Sequence, residues 1–189
     1  MIATMPDVDL IGGPEKRQII LCTYDPAWAK DFEAERRKIE VALGLLPHRV
    51  EHVGSTSVAG LAAKPIIDLQ LSVPNVEDED AYLPHLEPAG YTLRVREHGH
   101  RMLRTASLKA HLHVCDTGSD WERRHLLFRD WLRRSPEDRR SYDLAKRELA
   151  RRDWPTMNHY ADAKSEVITA IFIRAEAWAA ETGWLLYSN

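Results

Sequence analysis

Hydrophobic and polar residues alternate over positions 65–73 (PIIDLQLSV), where Ile67, Leu69, Leu71 and Val73 interleave with Ile66, Asp68, Gln70 and Ser72. A two-residue period predicts a strand, with Asp68 and Gln70 on the face opposite the aliphatic set. Residues 110–115 (AHLHVC) alternate in the same way and put His111 and His113 on one face. Shorter strands are expected over 18–23 (QIILCT), 49–53 (RVEHV), 92–97 and 101–105, the last two joined by a turn at His98-Gly99. Elsewhere the period lengthens. Trp28, Phe32, Ile39 and Leu43 predict a helix over 27–43, opened by Asp25-Pro26 and closed by Gly44. A short helical piece is expected near 58–63, and the acidic stretch 76–86 reads as partly helical. Beyond Gly118 the pattern is helical throughout. Trp121, His125, Phe128 and Leu132 form one stripe, Pro136 opens a helix carrying Tyr142, Ala145 and Leu149, and a last helix is expected over 158–180.

Strands first and helices afterwards predict an α+β fold: a mixed β-sheet with flanking helices and a C-terminal helical lobe. The expected organisation is a flexible leader over 1–17, a core over 18–118, and a lobe over 119–189 packed on the core as one structural unit. A chain of 189 residues suits this. Charged residues make up 29% and the net charge is −3, so no global positive field draws in long nucleic acid. The arginine doublets after residue 120 alternate with acids and read as a solvated face. No apolar run reaches the length of a membrane span. Two cysteines, Cys22 and Cys115, exclude a disulfide framework, and a reducing cytoplasm is the expected setting.

Three groups of residues bear chemistry. Gly54-Ser55 follows a strand at once; glycine admits close backbone approach, and the hydroxyls of Ser55, Thr56 and Ser57 can donate to phosphate. Asp68 lies mid-strand among aliphatic neighbours, where a carboxylate needs a partner or a cation. His111 and His113 have the spacing of paired metal ligands on a strand. Basic groups complete the set: Lys64 between the serine bend and Asp68, Arg101, Arg104, and two Tyr-Lys pairs at i,i+4, Tyr142 with Lys146 and Tyr160 with Lys164.

Strand, Gly-Ser, helix, then a strand bearing a carboxylate resembles the nucleotidyltransferase superfamily of the DNA polymerase β type. Within it the chain is similar over nearly its whole length to the GrpB family. The likeness lies in YDPAW (24–28), EHVGSTSVAGLAAKPIIDL (51–69), HLHV (111–114), FRDWLR (128–133), YDLAK (142–146) and YADAKS (160–165). The resemblance implies a nucleotidyltransferase-like sheet, Gly54 and Ser55 at a triphosphate, Asp68 at magnesium, and lobe lysines and tyrosines on phosphates. The chain departs from the superfamily pattern where a second carboxylate is usual, which is Gln70 here. The third position falls on His111 or His113, and Glu51 is a candidate replacement carboxylate.

The leading expectation is an enzyme that transfers a nucleotidyl or phosphoryl group from ATP or another NTP to a small molecule, with Mg2+ or Mn2+, or Zn2+ given the histidines. Asp68 and Lys64 are its expected catalytic residues. The expected metal ligands are drawn from Asp68, Gln70, His111, His113 and Glu51. One alternative is a non-catalytic module that binds a nucleotide or phosphometabolite; another is a histidine-based metal hydrolase. Neither a nucleic acid nor a membrane is an expected partner, and a monomer or small homo-oligomer is expected.

Overall fold

A computed structural model describes residues 8–187. Its centre is a six-stranded mixed sheet in the order β1-β4-β5-β6-β3-β2: β1 (Asp9–Leu10), β2 (Arg49–Val53), β3 (Ile67–Val73), β4 (Tyr91–Glu97), β5 (His100–Thr105) and β6 (Ala110–Asp116). Only β3 and β6 run parallel; the other pairings are antiparallel.

The alternation in β3 and β6 sorts the two faces. Leu69, Leu71, Leu112 and Val114 are fully buried beneath α1 (Ala27–Leu43), which lays down Trp28, Phe32, Ile39 and Leu43, and beside Leu86 of α2 (Leu83–Leu86). Asp68, Gln70, His111 and His113 look the other way, toward the C-terminal helices α3 (Asp120–Arg134), α4 (Pro136–Ala150), α5 (Met157–Asp162) and α6 (Ser165–Thr182). Ser119 and Ser135 cap α3 and α4 by accepting the Glu122 and Asp138 N–H groups.

Several elements differ from expectation. Residues 18–23 contribute one bridge, Cys22 to Ala63, and no longer strand. The helical turn after Gly54 is a short 3-10 turn at Ser55–Ser57, and 58–63 is not helical. The last helix is two, since the chain turns at Ala163-Lys164. Residues 8–17 of the expected leader are fastened. Strand β1 pairs with β4, the Glu15 carboxylate accepts from Arg104 (2.7 and 3.0 Å), and the Glu15 carbonyl accepts the Met157 N–H (2.8 Å). Residues 1–7 of that leader lie outside the described part.

Candidate active site

One cavity of about 450 Å³ opens between the sheet and the lobe. Its floor begins at Gly54, whose φ of +67° and ψ of −170° lie in a region open almost only to glycine. The absent side chain matters as much as the angle. A Cβ there would stand 2.9 and 3.0 Å from Asp68 Cβ and Cγ, so the serine-bearing bend can lie against Asp68 only because residue 54 is glycine. Arg133 of α3 donates to the Ser57 carbonyl (2.9 and 3.1 Å) and pins the bend to the lobe.

The parallel register sets Asp68 opposite His111 and Gln70 opposite His113. His111 Nδ1 is 3.3 Å and His113 Nε2 3.9 Å from Asp68 Oδ1, and one ligand atom from each of the three residues falls within 4.8 Å of the others. Burial acts to raise the Asp68 pKa, but the two imidazoles outweigh it and hold the carboxyl well below the usual range. One carboxylate and two imidazoles form a donor set that fits a divalent metal ion.

The opposite wall is cationic. Lys146 on α4 is 3% exposed and donates to Ser55 Oγ (2.9 Å) and to the Ala62 carbonyl. Its Nζ lies 4.7 Å from the Tyr142 ring centroid, and Lys164 and Lys64 lie 4.8 and 5.8 Å from that of Tyr160. Both predicted Tyr-Lys pairs are therefore pairs in space. None of the three lysines makes an ion pair with a carboxylate among the described residues. Burial pushes Lys146 down to about 7, Lys164 down to about 8, and Lys64 downward too, while Asp68 acts on all three in the opposite sense. Unpaired buried cations of this kind mark a place for an anion. Thr56 lines the cavity as well, its hydroxyl 3.0 Å from His52 Nε2.

Other expected site residues lie elsewhere. Ser57 Oγ donates back to the Gly54 carbonyl (2.6 Å), which closes the turn instead of meeting a ligand. Arg101 stands opposite Val114 in the register, hence on the α1 side of the sheet, and donates to Glu77 (2.6 Å) and Glu79 (2.5 Å). Arg104 shares the His111 face, but Glu15 holds it in a two-point pair. Glu51 faces the lobe, where Arg129 takes its carboxylate (2.8 Å) beside a separate surface depression. Gln70 is fully buried, lies outside the cavity lining, and its amide has no hydrogen-bond partner among the described residues.

The cavity also contains residues that the sequence reading assigned to core or surface. His125, Phe128 and Leu132, expected as a packing stripe, form its α3 wall, with Arg124 from a doublet expected on a solvated face and with Arg129. Arg124 covers the Phe172 ring at 4.3 Å. Position along α3 relative to that stripe was the available signal.

The GrpB protein family model matches residues 18–174. The chain belongs to the GrpB family. It is 49% identical over 170 residues to a UPF0157 protein of Streptomyces coelicolor, which covers 90% of this chain and 91% of that one. The crystal structure of the conserved protein GrpB from Enterococcus faecalis superposes with a TM-score of 0.73 at 34% identity, covering 84% of this chain and 99% of that one. A dephospho-CoA kinase of Mycobacterium leprae is 29% identical over 198 residues, spanning 88% of this chain but 48% of the kinase. Thus the GrpB likeness rests on sequence and architecture together. No helix among the described residues is long and apolar enough to cross a membrane.

Proposed function

We propose that this GrpB protein binds a nucleoside triphosphate in the cavity, with one divalent cation at Asp68, His111 and His113, and transfers its nucleotidyl group to a small molecule. The observation that carries the reading is the pairing of two opposite walls. Lys64, Lys146 and Lys164, none in an ion pair among the described residues, face an acid-imidazole cluster across one space. The resemblance to the polymerase β-type superfamily supports the same placement, with the Gly54-Ser55 bend at the phosphates.

The protein's part in the reaction is positional and electrostatic. The lysines and Ser55 hold the β- and γ-phosphates, and Phe128, Ile168 and Phe172 offer an apolar wall to the base. Asp68, His111 and His113 would hold the cation, which would supply polarisation of the α-phosphate. The acceptor oxygen bonds to the α-phosphorus, pyrophosphate leaves with the bonding pair, and the acceptor proton passes to solvent. Calorimetry with ATP and Mn2+ tests the binding step. Wild type is expected to bind and Asp68→Asn to lose at least tenfold; wild type that binds no nucleotide with any divalent cation removes the proposal.

A second reading has its own support. Gln70 stands where the superfamily resemblance implies a second carboxylate, and it does not reach the cavity, so the cluster offers a cation one acid. That favours a module which holds a nucleotide or phosphometabolite without turning it over, and the dephospho-CoA kinase likeness suits a coenzyme A precursor as the ligand. Release of pyrophosphate with any acceptor from a metabolite pool eliminates this reading. Hydrolysis of a phosphoester without nucleotide affinity points instead to a metal hydrolase.

A further inference from the structure

His113 has a neighbour that neither the cavity nor the lysines explain. Its Nδ1 lies 3.0 Å from His100 Nε2, and His100 Nδ1 lies 2.6 Å from Glu97 Oε1. The hairpin makes this line. Glu97 pairs with His100 across the His98-Gly99 turn, and His100 is the diagonal neighbour of His113 on the same sheet face. The two rings are within 15° of coplanar, and Trp121 of α3 lies over His100 at 4.5 Å and 14°. His100 is 6% exposed, so it is a buried imidazole held on its edge and its face.

The hydrogen-bond polarity along this line accommodates a metal ion on His113. A carboxylate accepts only, so the His100 proton sits on Nδ1 and faces Glu97. A metal ion on His113 Nε2 leaves the His113 proton on Nδ1, where the free lone pair of His100 Nε2 accepts it. Every ring nitrogen in the line then has a partner. Carboxylate and imidazole partners behind a ligating histidine fix its ring and raise its basicity. Two imidazoles with one carboxylate also favour transition metals over Mg2+, which prefers oxygen ligands in near-ideal octahedral geometry.

We propose that Asp68, His111 and His113 form a site selective for a transition-metal dication of the Mn2+ to Zn2+ series over Mg2+, with His100 and Glu97 as positioning residues that orient His113. The inference deepens the proposed function by naming its cation, and rests on the same three ligands.

Titration of the full chain with Zn2+, Co2+, Mn2+ and Mg2+, in the absence of nucleotide, tests it. Zn2+ and Co2+ are expected to bind one per chain and at least a hundredfold more tightly than Mg2+, with a visible Co2+ absorption band lost in His113→Ala. Glu97→Gln and His100→Ala are expected to weaken Zn2+ binding 10- to 100-fold and alter the Co2+ band, with Glu97→Gln the milder. Glu97 is partly exposed, so its variant reads the effect with the fold intact. Mg2+ bound as tightly as Zn2+, or unchanged affinity and spectrum in both variants, overturns the inference. Tight Zn2+ without any nucleotide affinity supports it while removing the nucleotide reading. ATP bound with Mg2+ through Asp68, without transition-metal preference, does the reverse.

Discussion

At Gly54 the backbone and a neighbouring carboxylate compete for the space of one methyl group. Gly54→Ala forces a side chain into a φ of +67° and against Asp68. We expect a loss of about 2–4 kcal/mol in urea unfolding, from backbone strain plus the displaced carboxylate. Divalent-ion affinity should fall with it, and a variant of full stability would show that the bend does not need this glycine. Lys146 presents the opposite trade. Burying an ammonium with a hydroxyl and a carbonyl for partners disfavours its charged form, so the folded pKa near 7 lies below the ordinary value near 10.5. The sign follows for a base lowered on folding: the penalty is full below pH 7 and is relieved as pH rises toward 10.5. Lys146→Met should therefore raise the stability of the free protein at pH 7 by about 1–2 kcal/mol, even after orphaning the Ala62 carbonyl. It should at the same time weaken triphosphate binding about tenfold or more. Lower stability together with unchanged binding would assign this lysine a structural role only.

Strands and helices deliver the two walls separately, and their separate origins set both the pH behaviour and what was readable. The cation wall comes from α4 and from the junction of α5 and α6, bearing Lys146 near 7 and Lys164 near 8. A bound polyphosphate favours the protonated form of each, so binding takes up protons between the free values and the higher bound ones. Triphosphate affinity should be highest near pH 7, where the phosphates are already ionised, and fall steadily to pH 9.5. Calorimetry in buffers of different ionisation heat should show net proton uptake at pH 8, reduced in Lys164→Met; pH-independent binding would detach these lysines from the phosphates. Strands β3 and β6 declared their faces in the sequence because alternation has a fixed period of two: Asp68 shares one face of β3 with Gln70 and His111 one face of β6 with His113, and the parallel register makes the two faces one. The i,i+4 geometry of Tyr142-Lys146 and Tyr160-Lys164 was equally legible. What periodicity does not encode is where a partner waits. Arg104, expected at phosphate, shares the His111 face yet belongs to Glu15, a residue 89 positions away in the chain. Gln70 shares the Asp68 face but lies under the lobe and not in the opening. The α3 stripe of His125 and Phe128 has the period of a core face, and the lobe leaves part of that face uncovered as a cavity wall. The His100 line depended on a diagonal pairing across β5 and β6, which requires the hairpin register.

For the molecule as a whole, the segment before α1 couples the sheet to the lobe. Glu15 binds Arg104 on β5 through its carboxylate and the start of α5 through its carbonyl, and α5 carries Tyr160 and leads to Lys164. Hydrogen bonding from Arg104 holds the Glu15 pKa down to about 2, against the pull of burial. A carboxylate lowered on folding contributes stability that is present above its ordinary value of 4.5 and disappears as pH falls toward 2. Acidification across that window should therefore release this segment and loosen α5. Glu15→Gln should imitate the release at neutral pH, because an amide loses the charge-assisted two-point pair with arginine. Hydrogen exchange over residues 157–162 is expected to quicken in the variant, and triphosphate affinity to drop severalfold with every cavity side chain unaltered. Charge loss at a residue outside the cavity would then be felt inside it through a helix that both share. Unchanged exchange over 157–162 in Glu15→Gln would mean that α5 is held by its own packing, through Tyr160 and Trp154, and that the segment is an attachment to the sheet alone.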